Sequence, residues 1–172
     1  MKQANQTISV KVEYGNEFTL SEADAQAIEQ EKHHYEDPRS ASIEALKIVQ
    51  KSYGWVPDGA IAVIADILGI RASEVEGVAT FYSQIFRQPV GRHVIRYCDS
   101  VSCYVTGFKQ ILEALEKQLH ITNGQTSEDG RFTLLPTCCL GNCDQGPTMM
   151  IDDDVHSRVK PSDIPTILEQ YQ

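Results

Sequence analysis

The chain has 172 residues, 41% of them hydrophobic, and a formal net charge of −9. That length and composition suit a folded core in one domain or two small ones rather than a disordered chain. So acidic a chain would be repelled by phosphate backbones and anionic lipid surfaces, so no nucleic-acid partner is expected.

Met1 to Val10 contains no apolar run of the kind that opens a secretory signal. The most apolar stretch, Gly59 to Ile70, is too short to span a bilayer and carries Asp66. A cytosolic chain with no direct membrane insertion is expected, and such a chain can still belong to a membrane complex.

In chain order, residues 1–19 read as an N-terminal tail and residues 20–88 as a helical domain. Ser21 followed by Asp24 caps a first helix, which carries Ala25 and Ile28. A second helix spans Ser42 to Tyr53, with Ile43, Leu46, Val49 and Tyr53 on one stripe and Gly54 as its stop. Pro57 suits the first position of a third, whose face is Ile61, Ile64, Ala65 and Leu68. Ser73 and Glu76 form a capping-box pattern opening a fourth, through Val78, Phe81, Tyr82 and Ile85. The connections are short, so these helices should pack on their neighbours.

Around Gln88-Pro89-Val90-Gly91 the pattern changes, and residues 89–172 read as a second domain. Val94 to Tyr97 is a strand, Ser102 to His120 a helix, and Thr122 to Gly130 a polar loop. Phe132 to Leu135, Met149 to Ile151 and Val155 to Val159 are further strands, and Ser162 to Tyr171 is a last helix. Strand, helix, strand in this order predicts a small α/β domain with its first two strands parallel.

All five cysteines lie between positions 98 and 143. In a reducing compartment that clustering points to a metal or redox site, not to a disulfide framework. Cys98 and Cys103 are spaced C-x4-C where the first strand runs into its helix. Cys139 and Cys143 are spaced C-x3-C in the loop after the second strand. Loops that follow two parallel strands leave from the same end of the sheet, so the two pairs should meet. Four thiolates suit a 2Fe–2S centre, whose formal charge of −2 when oxidised demands nearby N–H donors. Gly141 can adopt a positive φ, and the start of the Cys103 helix offers free N–H groups. Asp99 and Asp144, if close to the sulfurs, would lower the potential. On spacing alone a four-cysteine zinc site fits almost as well, and Cys138-x4-Cys143 remains an alternative register. A thioredoxin-like dithiol enzyme is a third reading, weakened by the missing C-x2-C.

Beyond the cysteines little reads as a site. His33, His34, His93, His120 and His156 show no ligand spacing and are taken as solvated or hydrogen-bonded. Asp152-Asp153-Asp154 is taken as a solvated turn. Trp55 and the Phe81-Tyr82 pair are taken as core residues first and interface anchors second. Gly124 and Gly130 do not form a dinucleotide fingerprint, so no dinucleotide site is expected in this chain.

Several motifs together carry a resemblance. They are Gly54-Trp-Val-Pro57, Glu76-Gly-Val-Ala-Thr-Phe-Tyr82, Cys98-Asp-Ser-Val-Ser-Cys103 and Cys139-Leu-Gly-Asn-Cys143, the last followed by Gly146-Pro147. From about Leu20 onward the chain resembles the family of 24-kDa subunits of respiratory complex I. The likeness is to their enterobacterial type through Gly130 to Cys139 and Met149 to Asp152. The resemblance implies a helical bundle followed by a thioredoxin-like 2Fe–2S ferredoxin domain with a small mixed four-stranded sheet and flanking helices. It implies one 2Fe–2S cluster, with Cys98 and Cys103 on one iron and Cys139 and Cys143 on the other, and Cys138 as the spare. It further implies an electron-carrier subunit of NADH:quinone oxidoreductase (translocase) with no active site of its own. That subunit would lie on the cytoplasmic side of the inner membrane, against the flavin- and NADH-binding subunit and a neighbouring iron–sulfur subunit. NAD-linked hydrogenases and formate dehydrogenases have related subunits with the same cysteine pattern.

Overall fold

In the computed structural model, which describes residues 9–10 and 18–171, the chain divides into two units, Met1–Pro89 and Val90–Gln172. In the first, strands β1 (Ser9–Val10) and β2 (Phe18–Thr19) pair antiparallel within the stretch read above as a tail. Helix α1 (Glu22–Lys32) starts as its sequence implies, with Ser21 Oγ accepting from the Asp24 N–H at 3.0 Å. Helices α2 (Ser42–Tyr53) and α3 (Asp58–Leu68) stop at Gly54 and Gly69, both at positive φ.

Helix α4 (Ala72–Phe81) begins two residues before the expected capping box. The Glu74 carboxylate accepts from the Arg71 N–H at 3.1 Å and closes that end. Glu76, assigned to the cap by spacing, instead pairs with Arg87 at 2.9 Å. The Arg87 guanidinium also reaches Asp58 at 2.7 Å and the Val56 carbonyl, tying the last turn of the unit to the start of α3 and the middle of α4. Gln50 adds a second tie, accepting from Phe86 N at 2.6 Å and donating to Gln84 O at 2.8 Å.

The apolar stripes of the helices meet in one core containing Leu20, Ile28, Leu46, Val49, Ile64, Leu68 and Val75. Gly59 lets α3 press against β2, because a Cβ there would sit 2.3 Å from Phe18 Cβ. Phe81 and Tyr82 do not join this core. They are 79% and 44% exposed and stack edge-on at 5.1 Å, because α4 ends at Phe81 and Tyr82 turns extended.

The second unit is built on a four-stranded mixed sheet in the order β4-β3-β5-β6. Strand β3 (His93–Cys98) runs parallel to β4 (Phe132–Thr137), as expected, and antiparallel to β5 (Met149–Ile151), which hairpins into β6 (Asp154–His156). Strand β4 continues through Pro136, past the boundary read from sequence at Leu135. It forms a sheet edge, where a missing N–H costs no ladder bond. The polar loop before it folds back along that edge: Gly124 N donates to Leu134 O at 2.7 Å and Ser127 N to Phe132 O at 2.7 Å.

The single helix expected over Ser102 to His120 is two helices, α5 (Val101–Thr106) and α6 (Phe108–Leu119). Gly107 between them has φ 109°, which a β-carbon would resist, so the chain can re-aim there. Helix α6 covers the sheet with Ile111 and Leu115 against Ile95, Phe132, Leu134, Met149 and Ile151. The terminal segment is shorter than expected: a 3₁₀ turn at Pro161–Asp163 leads into α7 (Ile164–Leu168), leaving Tyr171 beyond the helix. Leu134 is fully buried in this core. Leu134→Ala is expected to cost the unit about 2–5 kcal/mol, readable from denaturant unfolding.

Asp152 is not the solvated turn residue read from sequence. Its carboxylate accepts from Val94 N at 2.9 Å and meets His93 Nδ1 at 2.6 Å, and its carbonyl accepts from the buried Arg96. It therefore pins the β5–β6 turn to β3. Beside it, His156 Nε2 meets the Tyr171 hydroxyl at 2.9 Å, and that hydroxyl donates to Asp154 at 3.0 Å. Burial pushes the Tyr171 phenol up to about 12, with Asp154 adding to the effect. Burial also holds His156 below its ordinary 6.5, although Asp154 pulls the other way. The unfolded chain therefore takes up this proton at a higher pH than the folded one. This contribution is fully present above pH 6.5 and is lost as pH falls below it. His156→Gln should show a smaller fall in melting temperature than the parent between about pH 7 and pH 5.5.

Candidate metal centre

Strand β3 ends on Cys98, which lies opposite Thr137 in the parallel register. Two residues later the chain leaving β4 reaches Cys139, so the two cysteine-bearing loops emerge from one end of the sheet, as the sequence predicts. Cys98 N donates to Thr148 O at 3.2 Å and Asp99 N to Thr137 O at 3.1 Å, locking the start of the first loop. Cys103 follows in α5. Cys98 and Cys103 are each only 2% exposed, whereas Cys139 and Cys143 lie at the surface.

The thiols form two pairs. Cys139 and Cys143 are 3.9 Å apart, sulfur to sulfur. Cys98 and Cys103 interact with each other, and Cys143 faces both of them electrostatically. A tetrahedral centre with metal–sulfur bonds of about 2.3 Å places two of its thiolates about 3.8 Å apart, so the exposed pair suits one metal. Among the described residues, no group of three or more His, Cys, Asp or Glu side chains is arranged around a single ion. The sulfurs thus fall into two pairs, Cys98 with Cys103 and Cys139 with Cys143.

Backbone donors are aimed at this set. Gly141, at φ 74°, donates its N–H to Cys139 Sγ at 3.3 Å, a turn the sequence anticipated from the glycine. Burial pushes the Cys98 thiol up, but the N–H groups of Ser100 and Leu140, with the Cys103 and Ser100 side chains, outweigh it. The Cys98 thiol is therefore held below its ordinary value. Cys103 is raised by burial first, then by Cys98 and Cys143, against a hydrogen bond from the Thr148 backbone. Cys143 is raised chiefly by Cys139 beside it and then by burial. Thiols that raise one another in this way repel as anions, and a shared cationic centre removes that penalty.

The fifth thiol takes no part in either pair. Cys138 is exposed, and its carbonyl is the group that accepts from the Cys98 thiol, at 3.9 Å. Asp99 and Asp144 are both exposed. His93 and His156 are engaged with Asp152 and Tyr171, away from the sulfurs. Sequence reasoning overlooked Thr148 and Asn142, which hold the Cys143 loop. A threonine ahead of a strand reads as an ordinary β-residue, and its only signal is its place directly after Gly146-Pro147.

The model of the thioredoxin-like [2Fe-2S] ferredoxin family matches residues 28–172, and the chain belongs to that family. Within it, an NADH-quinone oxidoreductase subunit of Salmonella typhimurium (strain LT2) is 74% identical over 155 residues, or 90% of this chain and 93% of that protein. The like-named protein of Escherichia coli (strain K12) is 72% identical over 155 residues, with the same shares. Among solved structures, an NAD+-reducing [NiFe]-hydrogenase in the air-oxidized state matches with a TM-score of 0.58 and 26% identity. That match covers 66% of this chain and 20% of the hydrogenase chain. Among the described residues, no helix is long and apolar enough to cross a membrane.

Proposed function

We propose that this chain is the electron-transfer subunit of an NADH:quinone oxidoreductase and holds one 2Fe–2S cluster. Cys98 and Cys103 would bind one iron, and Cys139 and Cys143 the other. The observation that carries this reading is the meeting of two thiol pairs at one sheet end. Two bridged irons need two ligand pairs, whereas a structural zinc needs four donors around one centre.

The group so held supplies exchange of one electron at a time. The chain's residues do the rest. Cys98 and Cys103 lie buried and exclude water from the inner side. The N–H groups of Ser100, Leu140 and Gly141 face the sulfurs and stabilise their negative charge. Cys139 and Cys143 stand at the surface, where a redox partner can approach. No residue of this chain is needed as an acid, base or nucleophile, so the NADH chemistry is assigned to the partner.

In this reading that partner is the flavin- and NADH-binding subunit, with a second iron–sulfur subunit nearby, peripheral on the cytoplasmic side of the membrane. The functional division is 1–19, 20–88 and 89–172, with all ligands in the last part. The helical part serves docking, with exposed Phe81 and Tyr82 as candidate anchors. A second reading keeps the same site but places it in the diaphorase part of an NAD-linked hydrogenase. The fold likeness to the NAD+-reducing enzyme favours it. Anaerobic affinity purification of the native complex separates the two. A flavin-bearing subunit together with quinone-reducing activity supports the first. Co-purification with a nickel-bearing partner supports the second. Colourless protein with one zinc and no acid-labile sulfide would reject both.

A further inference from the structure

We infer that Thr148 is a positioning residue for the metal centre. On the four-cysteine reading above, its hydroxyl fixes the loop bearing Cys143 against the loop bearing Cys98 and Cys103. Thr148 is 4% exposed, immediately before β5, and touches both loops. Its carbonyl accepts from Cys98 N at 3.2 Å, and its backbone also hydrogen-bonds the Cys103 thiol. Its Oγ1 lies 3.3 Å from both Asn142 O and Gln145 O, the carbonyls that bracket Cys143, and 3.4 Å from Asn142 Nδ2. A hydroxyl has one proton to donate and two lone pairs, so it can donate to one carbonyl while accepting from the amide. Asn142 Nδ2 also donates to Ser157 Oγ at 2.7 Å, which extends the tie to the segment after β6.

These contacts are not what keeps the loop carbonyls satisfied. Asn142 O also accepts from Gln145 N at 3.1 Å, and Gln145 O from Arg158 N at 2.7 Å. Thr148→Val keeps the volume and leaves neither carbonyl without a partner, so the fold should survive. It removes the hinge point between the two ligand loops. Groups that orient metal ligands typically cost ~10–100-fold in metal retention when removed. The same shell is packed tightly elsewhere: a Cβ on Gly146 would meet Thr106 Oγ1 at 2.8 Å and Cys103 Sγ at 3.5 Å. The loops therefore have little room to find another spacing.

The experiment uses the full chain, purified anaerobically with its iron and sulfide, as parent, Thr148→Val and Thr148→Ser. It reads the rate of iron loss to a chelator and the low-temperature EPR spectrum after reduction. The expected result is ~10–100-fold faster iron loss and shifted g-values for Thr148→Val, with both restored in Thr148→Ser. If Thr148→Val matches the parent in both readouts, or if Thr148→Ser is as impaired as Thr148→Val, the inference is overturned. Should Thr148→Val fail to fold, exposed Ser157→Ala tests the far end of the same tie. A shift in the same direction upholds the inference, and parental behaviour overturns it. A parent chain that lacks two irons and two sulfides would instead overturn the four-cysteine reading on which the inference rests.

Discussion

Cys103→Ala is expected to lose the cluster or hold it so weakly that purified protein is deficient in iron and sulfide, whereas Cys138→Ala keeps the full complement. The difference follows from position. Cys103 is 2% exposed, meets Cys98 directly and faces Cys143, so on the proposed assignment removing it would leave one iron with a single protein thiolate. Cys138 is one residue from Cys139, but it meets the site through its carbonyl, which no substitution at that position removes. Iron and sulfide assays with visible spectra check both variants. A parental spectrum in Cys103→Ala, or loss of cluster in Cys138→Ala, would mean the ligands are assigned in the wrong register.

Removing the metal should destabilise residues 90–172 by at least about 3 kcal/mol, because binding energy at such a site is folding energy. Without the metal, Cys103 and Cys143 are buried or crowded thiols with raised pKa values. The loop from Thr137 to Pro147 is then held only by hydrogen bonds, among them Gly141 to Cys139, the ties of Thr148 and Asn142, and those from Asp99, Arg158 and Val159 to its carbonyls. For a unit of this size the loss corresponds to a fall on the order of 15 °C in its melting temperature. Hydrogen exchange with and without chelated iron should show the change concentrated at the end of β3, in α5 and in the loop after β4. Residues 1–89 contain no cysteine. Equal loss of protection throughout that first unit would contradict this account.

Much of the architecture could be read from the sequence because its signals are local. The Ser21 cap, the Gly54 and Gly69 stops and the β-branched run of β3 each act over a few residues. Two tight cysteine pairs after consecutive parallel strands were enough to predict their meeting, since parallel strands send their loops to the same side. The features that were misread depend on distant partners. Glu76 looked like a capping residue and is an ion-pair partner of Arg87. Phe81 and Tyr82 looked like core residues, but among the described residues of their unit no neighbouring element covers them. Asp152 looked solvated, yet it is bound by residues nearly sixty positions earlier. The break at Gly107 was missed because the apolar stripe continues across it, from Val105 through Phe108 to Ile111. Thr148 is hidden in part because most of its partners are backbone atoms, which carry no sequence signal.

The most direct test is alkylation of the native, iron- and sulfide-replete chain by a small thiol reagent, followed by peptide mass spectrometry. With two irons capping four sulfurs, only Cys138 should be labelled, and chelating the iron should expose the other four. Rapid labelling of Cys98, Cys103, Cys139 or Cys143 in fully loaded protein would contradict a centre held by all four.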